Sequence, residues 1–284
     1  MIDLKHDGLT INAFIQHLNG LVDRHKDSLF ELLTDNYQRI IIQRYFSVMR
    51  ELTAQGGYCL NSRAYSTLEA LSRVIIEQSA NMLYVGMDEG ENARALLRSS
   101  KQLTENNGKA WAAYLASNNH HNPAALARQR NGAAMIKEFD KRWPNTARYP
   151  NGKKLFSLLG WENHYHAFYA PLCDSVHSYS DDFSALTMIG DVYALSESEG
   201  IQMLQYWNQD RIRLAMYHYA VAVGLQAESF SRICSSWGIE LEEDAFRQFE
   251  KLDELIRRHD EFDHSRLDEM HVGRAVFDTF TIKM

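Results

Sequence analysis

Apolar residues recur at three- and four-residue intervals through most of the chain, the spacing that lines them up on one face of a helix. Ile11, Phe14, Ile15, Leu18, Leu21 and Val22 predict a first helix over about 10–26, with Thr10 or Asn12 able to cap it. A second segment, about 27–54, carries Leu29, Leu32, Leu33, Ile40, Ile41, Ile42, Tyr45, Phe46 and Met49. Its β-branched triplet permits a strand locally, but its length and polar flanks favour helix with a break near Asp35-Asn36. Gly56-Gly57 reads as a turn. Residues 61–84 then form a central helix ending near Gly86, with Leu68, Leu71, Ile75, Gln78 and Met82 on one side and Arg73 and Glu77 roughly opposite.

A further helix is predicted over about 90–116, weakened slightly by Gly108, then a loop at 117–122. Pro123 suits the first turn of the next helix, which runs to about Phe139, and 143–152 is irregular. Leu155 to Tyr179 is helical, with Pro171 kinking it or starting its second half. Asp181-Asp182 interrupts, and helices over about 184–196, 201–236 and 241–259 follow. The tail from Asp260 is rich in acid, histidine and arginine, and AVFDTFTIKM at its end can dock or pair as a short strand. The expectation is an all-α, compact multi-helix bundle forming a single mainly helical body over 1–284.

Composition narrows the classes. The chain has 284 residues, 45% of them hydrophobic, enough for a sizeable core. Lys and Arg number 30 against 37 Asp and Glu, a net charge of −7 that disfavours a generally basic nucleic-acid coat but leaves room for a basic groove. Cys59, Cys173 and Cys234 fit no zinc-knuckle spacing and read as buried or idle thiols in a reducing compartment. The N-terminus lacks signal-peptide regions, and no apolar run reaches about 18 residues. The expectation is a cytoplasmic protein without a membrane span. The phosphate loop GxxxxGK[ST], the dinucleotide GxGxxG and HExxH are all absent.

Two polar constellations carry the chemistry. Arg73 and Glu77, four apart on the central helix, fit an exposed pair, a buried pair fixing helix register, or a cleft pair that binds substrate; Glu69 lies within reach of Arg73 as well. In FYAPLCDSVHSYSDD (168–182), a helix beginning at Pro171 puts Asp174, His177 and Asp181 on one side. Asp174 would orient His177 and raise its proton affinity, suiting it to proton exchange near neutral pH. A surface Asp/His cluster fits the same residues. Asp260, His264, Asp268 and His271 share a helical face, but no strict metal motif occurs, and neither metal nor cofactor is expected. Arg128, Arg130, Lys137, Lys141, Arg142 and Arg148, interleaved by Trp143 and Tyr149 and diluted by Glu138 and Asp140, form the most basic region.

Ser72-Arg73-Val74-Ile75-Ile76-Glu77, followed by Tyr169…Leu172-Cys173-Asp174-Ser175-Val176-His177, resembles the DUF5677 family, described by an R-x3-E helix and a later segment ending in V-H. That family is similar in turn to the all-helical HEPN superfamily of prokaryotic toxin and defence systems. The resemblance spans about 30–225, implying a HEPN-like core there and a C-terminal helical extension and tail over 226–284. It implies Arg73, Glu77 and His177 as one polar cluster and an RNA- or nucleotide-directed role, including metal-independent ribonuclease activity. A homodimer would fit, since HEPN ribonucleases assemble their R-x4–6-H motif across one. No arginine stands four to six residues before His177, so Arg73 becomes the candidate cation. The alternative is a non-catalytic interaction or regulatory protein using the same residues for its fold or a protein partner.

Overall fold

A computed structural model describes residues 2–176, 197–270 and 282–283. The chain is an all-α bundle, with one two-residue strand pair as the exception among the described residues. Helix α1 spans Leu4–Leu32, and Asp3 caps it by accepting from the His6 amide at 3.1 Å. Helix α2 spans Asn36–Ser62, with Asp35 accepting from the amides of Tyr37 and Gln38 at 2.9 Å each. That cap occupies the predicted break. The expected boundary near residue 27 is absent, because buried Leu29 continues the apolar stripe of α1. Ile40 to Ile42 are helical. The predicted turn at Gly56-Gly57 is also helix, and Gly56 serves packing: a Cβ there would lie 2.4 Å from the Tyr219 ring.

Helix α3, Tyr65–Gly86, buries Leu68, Ile75, Ile76, Met82 and Leu83. It packs along the helix Glu197–Ser236, called α9 here. Tyr65 Oη donates to Asn208 Oδ1 at 3.3 Å, Ser229 Oγ to the Ser79 carbonyl at 3.1 Å, and Trp237 Nε1 to the Gly86 carbonyl at 2.8 Å. The partners ascend together along both helices, so the two run parallel. Parallel neighbours need a long connection, and residues 87–196 supply it.

That connection begins with a helical hairpin, α4 (Glu91–Ser117) and α5 (Pro123–Arg142), in which Asn122 accepts from the Ala124 amide. Gly108 does not weaken α4 idly: its Cβ would lie 2.6 Å from the Gln129 amide nitrogen. Next come α6 (Gly152–Leu158), α7 (Glu162–His164), a π-helical turn (Tyr165–Tyr169) and α8 (Ala170–Val176). The helical segment expected from Leu155, kinked or restarted at Pro171, is thus four pieces, with Pro171 in the first turn of the last, where its missing N–H costs little. The predicted helix at 184–196 lies outside the described residues.

Helix α10, Glu243–Met270, continues well into what the sequence suggested was tail. It packs on α1 through Phe14 and Phe249, ring centroids 5.7 Å apart, and through buried Asp7, which accepts from Arg258 Nη2 at 2.7 Å and lies 3.2 Å from His259 Nε2. Ile282–Lys283 pairs in parallel with Ile2–Asp3, as the short-strand reading of the last residues allowed. No described helix is long and apolar enough to cross a membrane.

Candidate functional site

Arg73 sits on the face of α3 that meets α8. Its Nε donates to Cys173 Sγ at 3.0 Å, and its Nη2 donates to Tyr169 Oη at 3.4 Å and lies 3.3 Å from Glu77 Oε2. Tyr169 Oη in turn donates to Glu77 Oε2 at 3.2 Å, and the guanidinium carbon stands 5.4 Å from the Tyr169 ring centroid. The four side chains form a closed polar knot. Two i, i+4 pairs build it, Arg73/Glu77 from α3 and Tyr169/Cys173 from the π turn and α8. The π turn is the local device: its wider turn sits beside Pro171 and leads Tyr169 and Cys173 into α8 against α3.

The electrostatics are consistent around the knot. The hydrogen bond to Cys173 raises the Arg73 pKa, overcoming burial that lowers it, so the guanidinium stays charged. Burial, then the Glu77 charge, pushes the Tyr169 phenol up, which keeps its proton available for Glu77. Tyr45 on α2 is raised by the same two causes. Tyr149, in the α5–α6 connection, is raised by burial first and then by Tyr45, Tyr84 and Glu77. Its hydroxyl donates to Asn81 Oδ1, while Asn81 Nδ2 donates to the Glu77 carbonyl at 2.8 Å. Three phenols thus feel the charge of one carboxylate, and Tyr169 donates to it directly.

Several sequence expectations change here. Arg73 does not bridge to Glu69, which lies 3.8 Å from Arg211. Cys173 is not idle; it accepts from Arg73, whereas Cys59 and Cys234 are buried, with burial pushing Cys234 up to about 12. The Arg73–Glu77 pair is neither open nor sealed, with side chains 26% and 38% exposed. Asp174 lies on the backbone of α8, but its side chain and all of His177 lie outside the described residues, as do His271 and the side chain of Asp268. Asp260 accepts from the Tyr217 hydroxyl. Among the described residues no three His, Cys, Asp or Glu are grouped to hold a metal ion. Asn81 was not read from the sequence, Tyr45 was read only as an apolar position of the second segment, Tyr149 only as a ring in the basic region and Tyr169 only as part of the family motif; the spacing of Tyr169 and Cys173, repeating that of Arg73 and Glu77, hinted at part of this set.

A model described as a family of unknown function, DUF5677, matches residues 40–191, more than half of the chain. The chain belongs to DUF5677. The DUF5677 match takes in Arg73, Glu77, Tyr169 and Cys173, together with Asp174 and His177. Comparisons with curated proteins and with solved structures found no match.

Beside the knot lies a cleft of about 1150 Å³ whose wall includes Tyr84 and Tyr149. Arg73 and Glu77 are not among the residues that line this cleft.

Proposed function

We propose that this DUF5677 protein is HEPN-like and acts on RNA, cleaving it without a metal at the Arg73–Glu77 corner completed by His177. The supporting observation is the Arg73 guanidinium, held charged and oriented between α3 and α8 by Glu77, Tyr169 and Cys173. His177 follows Cys173 by four residues in the chain that continues α8. In this reading His177 takes the 2′-hydroxyl proton as that oxygen attacks phosphorus, and the departing 5′-oxygen takes a proton from water as its bond breaks, the hydroxide so formed recovering the proton held on His177. Arg73 stabilises the charge that builds on the phosphoryl oxygens. Asp174 orients His177, and Glu77 with Tyr169 positions Arg73. The products are a 2′,3′-cyclic phosphate and a 5′-hydroxyl, and DNA is not cut because it lacks the 2′-hydroxyl.

The test incubates the full chain with single-stranded RNA and DNA in EDTA and resolves the product ends. Wild type should cut RNA alone, and His177→Ala should lose about 100-fold or more. Equal cleavage by wild type, His177→Ala and Arg73→Ala would overturn the assignment.

A second reading, a non-catalytic interaction protein in which the knot is a seam fastening α8 to α3, is favoured by the internal contacts of Arg73 and by its absence from the wall of the neighbouring cleft. It predicts no cleavage at all and a lower melting temperature for Arg73→Ala.

A further inference from the structure

Charge is segregated along this chain. Residues 91–154 hold twelve Lys and Arg against four Asp and Glu, whereas the whole chain holds 30 against 37. The α4–α5 hairpin and the connection after it are therefore strongly basic on an otherwise acidic molecule. The cleft of about 1150 Å³ is lined by this segment together with Tyr84 and Leu158. Arg98, Gln102 and Asn106 line it from α4, Arg148 and Tyr149 from the connection, and Lys154 from α6. One carboxylate, Asp140, shares the wall, and Arg98 neutralises it through two hydrogen bonds of 2.7 and 2.9 Å. Arg148 and Lys154 are exposed, and no carboxylate pairs with either among the described residues. The cleft carries two uncompensated cations among neutral amides.

We infer that this cleft and the α4–α5 arm bind the phosphate backbone of a single-stranded polynucleotide. The open volume exceeds that of usual small-molecule sites, which suits a chain passing through it. Exposed Trp111 and Tyr114, three residues apart on α4, add faces on which unpaired bases stack. Trp143 is not such a face: it packs against Tyr37 and Phe139 and lies under Arg142. The far wall of the cleft leads to the knot through Tyr149, Asn81 and Glu77. The inference deepens the RNA reading and rests on it for the choice of polymer.

The test uses a fluorescein-labelled 2′-O-methyl oligouridine 20-mer, which binds without being cleaved, and reads anisotropy against the full chain at two or more salt concentrations. The double variant Arg148→Glu/Lys154→Glu should bind at least tenfold more weakly. The slope of log affinity against log salt should fall by about 1.4, the share of two phosphate contacts on a single strand. Lys251→Glu, an exposed change on α10, should stay within twofold of wild type. Failure of wild type to bind, or equal binding by the double variant, overturns the inference. Self-association of wild type that the double variant loses, without oligonucleotide binding, overturns it in favour of docking on the acidic surface of a second copy. Binding by a wild type that cleaves no RNA supports the cleft while ending the ribonuclease assignment.

Discussion

A methyl group at Gly56 would stand 2.4 Å from Cε2 and 2.6 Å from Cζ of Tyr219, inside any real contact distance. Tyr219 cannot swing aside freely, because it is fully buried and its hydroxyl donates to the Thr53 carbonyl at 2.7 Å. Gly56→Ala should therefore destabilise the fold by about 1–3 kcal/mol despite alanine's better helix propensity. Chemical denaturation would show it, and a variant as stable as wild type would refute the account. The sequence made this glycine a turn because glycine's local preference is all that a single position displays. Its partner is 163 residues away. Arg73 teaches the same lesson: its spacing to Glu77 was legible, whereas Tyr169 and Cys173 lie about a hundred residues further on.

Between elements, the α9–α10 seam is fastened by one buried cation. Arg213 is fully buried, with Nε donating to Asp210 at 2.7 Å and Nη2 to Asp263 at 2.5 Å, and its guanidinium lies 4.7 Å from the Phe262 ring centroid. Removing the cation leaves two carboxylates facing each other across a partly dry contact. Arg213→Ala should cost about 3–5 kcal/mol, read by denaturation. A loss below 1 kcal/mol would show that the seam rests on its other contacts, the apolar packing and the Tyr217–Asp260 hydrogen bond. Helix periodicity anticipated α9 and the start of α10 but ended α10 near residue 259. The acid- and histidine-rich run beyond looked solvated, and it is helical because Phe262 and Asp263 find partners on Arg213 of α9.

For the whole molecule, buried titratable groups set the response to acid. His218 is pushed down to about 4 by burial and then by Arg213, and its buried Nδ1 has no hydrogen-bond partner among the described residues. Unfolded chains protonate this histidine near 6.5, so between about 6.5 and 4 the unfolded state binds the extra proton. Its contribution is complete above 6.5 and disappears as pH falls through that window, by up to about 1.4 kcal/mol per pH unit. Burial lowers His164 in the same sense. At Asp7 burial raises the pKa, but hydrogen bonds from His259 and Arg258 outweigh it and lower the net value. That stability persists above about 3.8 and is lost in stronger acid. Denaturant melts at pH 7.5 and 5.0 should show a drop that His218→Gln reduces; an unchanged drop would remove His218 from the explanation.

By itself the sequence determined the helical class, most helix positions, the break near Asp35-Asn36, the i, i+4 spacing of Arg73 and Glu77 and the basic stretch around Arg142. Each follows from short-range periodicity, capping or composition, which neighbouring residues fully express. The tertiary structure alone decided that α3 and α9 run parallel, that a π turn leads Tyr169 and Cys173 onto Arg73, and that Arg98 cancels Asp140 while Arg148 and Lys154 stay uncompensated in one cleft. Those outcomes depend on packing between residues far apart in the chain, where the burial of one side chain fixes the neighbours and the charge state of another.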